Sequence, residues 1–355
     1  MGKNEGKERL LWLDVVRCVA IIGVIMCHVV GDVYGFTLQS MMTEDVISRS
    51  FAFLVLTIGR IGVPFFLLIT GYLMLDRTYS DEAIGKFWKT KVFGLLFATE
   101  SWIIVYNVFL SLYHGQVFSI RTMLAEMFFL KNSAMNHMWY MPMILGMYLL
   151  LPLVANALAT IQMKTVLIPF GLLAMLFLVI PSVNIMCNCL GFSIGGTIIS
   201  SGFSGGVYGI YIIGGYLIKR GLLKKVSSMI LGGVSMGCVV AGVVVQLYSY
   251  SCHVGYNLFY SHIVLLVGGM CLFELISRLQ SVPMTKTITE LSKYSFAIYL
   301  VHNPVNLILQ KLLLWLECKY AKVFVICVLT MAISWLVAYG IGKIPKIGKK
   351  IIYMR

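Results

Sequence analysis

The chain has 355 residues, of which 59% are hydrophobic and 12% charged, with a formal net charge of +14. A water-soluble domain carries about 25% charged residues, so this composition excludes an ordinary soluble enzyme and makes the bilayer the natural solvent. The cations fall at the ends of apolar runs and form no patch interleaved with aromatics, which marks them as orientation signals and gives no reason to expect a nucleic-acid partner.

A hydrocarbon core of about 30 Å takes roughly 20 apolar residues per helix. In chain order the apolar runs predict spans over Leu10–Tyr34, Phe51–Leu75, Val92–Tyr113, Met138–Leu158, Thr165–Pro181, Gly205–Ile218, Val226–Tyr248, Leu258–Ile276, Tyr294–Trp315 and Ala321–Gly342. The first run follows Lys3, Lys7 and Arg9 like a signal peptide. It is too long for a typical h-region and lacks a small-x-small cleavage site, so it reads as a retained span. The sixth run is short and carries Gly205, Gly206, Gly209, Gly214 and Gly215, which suits a closely packed central helix. The longest connection, from His114 to His137, fits a short amphipathic surface helix or an ordinary loop. The expected fold is therefore all-α, a polytopic membrane helix bundle of about ten transmembrane helices, with one domain over residues 1–355.

Orientation follows from the loop cations. With the N-terminus in the cytoplasm, 20 lysines and arginines fall in inner segments, including Lys86, Lys89 and Lys91, the 219–225 group and the C-terminal group through Arg355. Only 6 fall outside: Arg49, Arg121, Lys131, Lys311, Lys319 and Lys322. The positive-inside rule selects this solution, with both termini cytoplasmic.

The remaining cations, Arg17 and Arg60, sit inside predicted spans, where a charge costs at least about 2.5–3.5 kcal/mol on insertion scales. The first span alone holds Asp14, Arg17, His28 and Asp32. Arg17 and His28 are eleven positions apart, hence roughly 20° apart around the helix and about 16 Å apart along it. Asp14 is placed to pair with Arg17, and Asp32 to orient or charge the His28 ring. The bland reading makes Asp14 and Arg17 interfacial anchors that snorkel, and His28 a helix-packing polar group. Further buried candidates are Arg60 near the helix-bending Pro64, Glu100 as a neutraliser of an arginine across the bundle, His262 and His302. The nine cysteines show no metal-binding spacing, and no metal is expected. Cys187, Cys189, Cys252 and Cys318 fall in predicted outer loops, where a disulfide is left open.

Four patches carry a resemblance. Trp12-Leu13-Asp14-Val15-Val16-Arg17, with His28 eleven residues after the arginine, is similar to the first-helix signature of the membrane acyltransferase-3 family. The run from Arg60 through Pro64, Thr70 and Gly71 to Leu73 resembles that family's second-helix motif. His137-Met138-Trp139-Tyr140-Met141 and Tyr148–Leu153 resemble its fourth-helix motif, and Ser295–Pro304 a late-helix motif. The patches occur in the expected order across almost the whole chain, and the nearest flavour is the stand-alone O-acetyltransferases of surface polysaccharides. Two departures stand out: Thr70 replaces a serine, and the usual Arg-x-x-Arg at the start of the third helix reads Lys91-Val92-Phe93-Gly94.

The resemblance implies transfer of an acyl group from cytoplasmic acyl-CoA, acetyl-CoA above all, to a hydroxyl of a surface or lipid-linked glycan at a multi-pass cell membrane, a bacterial cytoplasmic membrane. His28 is then the general base or a transient acyl carrier. Arg17, Lys89 and Lys91 hold the anionic donor, Asp14 and Asp32 support the stripe, and Arg60 faces the developing oxyanion. His137, Trp139 and Tyr140 are expected at the outer mouth, stacking on a sugar, with Glu100 and His302 as further substrate contacts. The competing reading is a polysaccharide exporter or ion-coupled transporter that uses the same polar cavity without chemistry. The sequence leaves the acceptor, the acyl length and a homo-oligomer open.

Overall fold

The structure, a computed structural model, describes residues 9–115, 117–200, 202 and 205–354. Lys3, Lys7 and Arg355, counted with the inner cations, lie outside the described residues. Among the described residues the chain is helix and loop, with no strand.

Each predicted span falls on a helical segment. The first is α1 (Leu11–Tyr34), which stops where Gly35 takes a left-handed turn at φ 74°. A short α2 (Leu38–Met42) leads to α3 (Val46–Gly59). That helix starts five residues before the predicted Phe51, because Asp45 Oδ1 accepts from the amides of Ile47 and Ser48 and caps it. The chain breaks at Arg60 and Ile61 before α4 (Gly62–Met74). Next come α5 (Asp81–Phe87) and α6 (Phe93–His114), joined by a π-helical turn at Trp88–Val92. The 114–137 connection holds a genuine helix, α7 (Ile120–Met127), whose Glu126 turns inward and accepts from Asn107 Nδ2 at 3.0 Å. Then follow α8 (Tyr140–Ala159), α9 (Met163–Ala174), α10 (Ile180–Cys189), α11 (Gly206–Lys219) and α12 (Ser228–Ser251). The chain closes with α13 (Ile263–Ser277), α14 (Thr285–Leu312), α15 (Lys319–Lys343) and α16 (Gly348–Ile351).

Seven of these segments are long and apolar enough to cross a membrane, and α13 is a shorter apolar helix. The helix α14 is long but polar, because His302, Asn303 and Asn306 interrupt its apolar run. All three are buried, so the helix that looks least lipid-soluble is the one the bundle surrounds. A polar side chain inside a bilayer needs partners within the protein.

Glycines set the closest seams. A Cβ on Gly62 would lie 2.5 Å from Ala20 O, and one on Gly59 would lie 2.8 Å from Cys27 N, so α1 rests directly on the α3–α4 break. A Cβ on Gly71 would lie 1.7 Å from Ile212 O, and one on Gly215 would lie 2.1 Å from Leu68 O. The glycine-rich α11 is thereby pressed against α4, as its composition predicts.

Contacts at the helix ends sort the bundle into two faces. Asp14 meets Ser292 at the start of α14, Tyr353 Oη donates to Lys91 O at 3.2 Å, and Trp102 Nε1 donates to Ile351 O at 3.2 Å. The first turn of α1 and the C-terminal α16 thus lie on one face. At the other, Glu44 pairs with Lys319, and Tyr250 Oη donates to Phe36 O at 3.1 Å. The nine cysteines are free thiols, with Cys189 and Cys252 in mutual contact.

Candidate active site

At the first face Asp14 is 1% exposed and saturated. It accepts from Arg9 Nε at 2.7 Å, Arg17 Nη1 at 3.0 Å and Ser292 Oγ at 2.6 Å. These bonds fix the Arg17 guanidinium at the wall of a cavity of about 250 Å³, which Lys91, Thr70 and Tyr353 also line. The cavity runs inward between α1, α4, α6, α8 and α14 and ends at Tyr140 and Tyr299, whose ring centroids are 5.7 Å apart.

Directly behind those tyrosines are three imidazoles. His28 from α1 lies 5.1 Å from His302 and 6.0 Å from His137, and His137 lies 5.0 Å from His302 (centroid distances). Tyr299 is 5.4 Å from His137 and 5.9 Å from His302, so a single ring separates cavity and cluster.

The hydrogen bonds assign two tautomers. Tyr106 Oη donates to Leu300 O, so it must accept from His137 Nε2–H at 3.1 Å. His137 Nδ1 is then an acceptor, and Asn303 Nδ2 donates to it at 3.0 Å. His137 is fully engaged. His302 Nδ1 lies 2.6 Å from Tyr299 O and can only donate to it, which leaves Nε2 with a lone pair. That Nε2 is buried and has no hydrogen-bond partner among the described residues. His28 is half-buried and sits at the accessible edge of the cluster.

Arg60 completes the site. The α3–α4 break lets its side chain leave the helix, and its guanidinium carbon stacks 5.0 Å from the Phe259 ring and 5.3 Å from the Tyr260 ring. Among the described residues its one hydrogen bond is a long one, 3.5 Å to Tyr260 Oη. Nε is buried without a partner, and among the described residues no carboxylate pairs with Arg60. A half-buried cation without a counter-charge is a place where negative charge is stabilised.

The chain matches the family model of an acyltransferase domain, Acyl_transf_3, over residues 10–339. It belongs to the membrane acyltransferase-3 family. No curated protein and no solved structure matches it. The four sequence patches converge in this acyltransferase: the first supplies Asp14, Arg17 and His28, the second Arg60, the third His137 and Tyr140, and the fourth Tyr299, His302 and Asn303.

Several expected placements are corrected. Asp32 accepts from Asn306 Nδ2 and sits at the exposed rim, so its contact is an amide of α14 where the His28 ring was expected. Among the described residues Glu100 neutralises no arginine and both its oxygens are buried without hydrogen-bond partners, because Arg17 is held by Asp14 and Arg60 stacks on aromatic rings. His137 is 1% exposed and lies in the cluster, not at a sugar-accessible mouth. Tyr140 lines the Arg17 cavity. Trp139 alone of that trio reaches an open pocket, with Asn136 and Glu126, while its ring packs 5.2 Å from Tyr208. His302 lies in the cluster, fully buried. Lys91 lines the Arg17 cavity, and Lys89 lines the neighbouring one.

Sequence reasoning missed Ser292, Tyr106, Tyr299 and Asn303 as site residues. Tyr299 and Asn303 stand inside the quoted late-helix patch and carried that signal. Tyr106 is one tyrosine in an apolar run and carried none.

Proposed function

We propose that this membrane acyltransferase moves a short acyl group, acetyl in the first instance, from acyl-CoA on the cytoplasmic side to a hydroxyl of a surface or lipid-linked glycan on the far side of a bacterial cytoplasmic membrane. The observation that carries this reading is a cation-lined cavity that stops one tyrosine ring short of a histidine cluster beside an unpaired arginine. Acyl transfer between two compartments needs those parts in that order.

In this reading Arg17 and Lys91 attract the anionic donor and the thioester arm extends along α1 toward Tyr299. The acceptor hydroxyl approaches from the His28 edge. A histidine nitrogen removes its proton while the oxygen attacks the thioester carbonyl carbon. A C–O bond forms, the C–S bond breaks, and the imidazolium returns the proton to the departing thiolate. Arg60 stabilises the oxyanion that forms between those events. Two histidines are free to act: His28, which is accessible, and His302, whose Nε2 lone pair is unengaged. His28 serves either as base or as the nitrogen that carries the acyl group for one step, and His302 then takes the proton. His137, with both nitrogens occupied, holds the other two in place. The asparagine on Asp32 leaves His28 without a strong carboxylate partner, which favours the neutral imidazole that the first step needs.

The test is thiol release from acetyl-CoA by purified protein with and without a glycan acceptor. His28→Ala is expected to abolish release while the fold is retained, and Arg17→Ala to raise the KM for acetyl-CoA. Full turnover in folded His28→Ala removes His28 from the mechanism. A protein that moves glycan and never consumes acyl-CoA makes the exporter reading the correct one.

A further inference from the structure

The C-terminal tail, absent from every motif above, closes a second cavity at the inner face. After α15 the chain reverses through Ile344–Ile347, with Lys346 in the left-handed region at φ 64°. Gly348 makes the reversal feasible, since a Cβ there would lie 1.9 Å from Ile341 O. The tail then docks on α6, where Trp102 Nε1 binds Ile351 O and the ring of Tyr353 lies over Gly94. This brings Lys346 and Lys350 to the rim of a cavity of about 680 Å³ whose opposite wall carries Lys89, Phe93 and Phe97. That volume lies within the roughly 300–1,000 Å³ usual for ligand sites.

Three observations give the cavity a chemistry. First, it gathers three ammonium groups, and among the described residues no carboxylate pairs with any of them. Like charges held together around one space favour an anion there. A left-handed backbone is uncommon for a lysine, so the chain adopts an unfavourable conformation at one of the three. Second, the wall offers exposed aromatic faces, with Phe93 62% and Phe97 43% accessible, and a purine ring stacks on such faces. Third, Tyr353 borders both this cavity and the one that holds Arg17 and Lys91. A ligand anchored here reaches past Tyr353 toward the tyrosine pair.

We infer that Lys89, Lys346 and Lys350 bind the phosphate esters of the donor's nucleotide end, with the 3′-phosphate of coenzyme A on the two tail lysines. The assignment rests on the acyl-CoA reading above and deepens it by naming which part of the donor is recognised. A phosphate ester could equally arrive on an anionic lipid headgroup, so the experiment has an arm for each source.

Affinities for acetyl-CoA and acetyl-dephospho-CoA, which lacks only the 3′-phosphate, are measured by calorimetry in detergent free of anionic lipid. Wild type is expected to bind acetyl-CoA at least about tenfold more tightly, a difference of about 1.4 kcal/mol. In Lys346→Gly/Lys350→Ala the two affinities converge, through loss of acetyl-CoA binding alone. Both positions are exposed, and glycine suits the left-handed backbone at 346, so the fold is retained. Adding phosphatidylglycerol to the micelles should leave acetyl-CoA affinity unchanged. Equal binding of the two thioesters by wild type, or a preference that survives the double substitution, overturns the assignment while the donor reading stands. Competition by phosphatidylglycerol that the double substitution removes gives the site to a headgroup and also overturns it. Binding of neither thioester refutes the donor reading and this assignment together.

Discussion

Arg60 should reveal its role through opposite effects on stability and activity. A lone cation in the bilayer interior costs about 2.5–3.5 kcal/mol on insertion scales. Its stacking on Phe259 and Tyr260 returns about 0.5–1 kcal/mol per ring. The hydrogen bond to Tyr260, at 3.5 Å, adds little, and Nε donates none among the described residues. The residue is therefore a net liability of about 1–2 kcal/mol. Arg60→Met keeps an unbranched side chain of similar bulk among the same rings and should raise the melting temperature in detergent by a few degrees. The same substitution removes the cation beside the histidine cluster. Loss of one oxyanion-stabilising donor costs about 10²–10³ in turnover, so thiol release from acetyl-CoA should fall by that factor. Arg60→Lys keeps the charge without the planar stack and should recover part of the rate. A variant Arg60→Met that melts lower than wild type and turns over within threefold of it would refute the reasoning on both counts.

His302→Gln removes the unengaged Nε2 lone pair without touching the Arg17 cavity. Steady-state kinetics should show turnover reduced by about 10²–10⁴ at unchanged KM for acetyl-CoA. Gly71→Ala places a Cβ 1.7 Å from Ile212 O and should destabilise the bundle by about 3 kcal/mol in thermal melts. Gly146→Ala, where a Cβ meets nothing within 4 Å, is the matching control and should be neutral. At the face opposite Asp14, burial pushes the Glu44 carboxyl up, but hydrogen bonds from Lys319 and Ser48 outweigh it and leave the group below its usual range. A carboxylate lowered in the folded state contributes stability above its unfolded pKa of about 4.3 and loses it as pH falls through the folded value. Glu44→Gln should therefore flatten the acid limb of the stability profile, by no more than about 1 kcal/mol because Lys319 is 39% exposed.

Helix placement was legible because hydropathy acts over twenty residues at a time: each of the ten predicted runs falls on a helical segment, and among the described residues seven segments are long and apolar enough to cross a membrane. Its errors were local. The early start of α3 depends on one aspartate cap, and the break at Arg60 depends on two glycines that let α1 approach. The stripe on α1 was legible too, since helical periodicity alone places Arg17 and His28 on one face and Asp14 against Arg17. What lay beyond the sequence was pairing across helices. Nothing in the run around Glu100 indicates that Arg17 is already paired with Asp14 or that Arg60 is stacked on Phe259 and Tyr260. Nothing near Asp32 announces Asn306, which is 274 positions away. The histidine cluster joins α1, the turn before α8 and α14, and no one-dimensional spacing connects those three elements. The tail lysines were read only as orientation signals, because their place at the rim of a cavity depends on a chain reversal that a single glycine permits.

The tyrosine partition bears on what the donor carries. Tyr299 Oη is tied to His137 O at 2.6 Å, and breaking one such bond costs on the order of 1 kcal/mol net. That bond is weak, but the ring also packs against His137, Tyr140, Phe296 and His302, so a thioester pressed against it from the Arg17 side has to turn a buried ring to reach the imidazoles. The space beyond is the stricter constraint. His302 is fully buried and His137 nearly so, and Tyr106, Asn303 and Leu300 close around them with satisfied hydrogen bonds. A close-packed interior of this kind admits a two-carbon acyl group with a ring rotation, whereas a long chain would have to displace α14 from α6. On the proposed mechanism the contacts that fix the histidine tautomers would also restrict the acyl group, and purified protein should therefore release thiol from a long-chain acyl-CoA far more slowly than from acetyl-CoA.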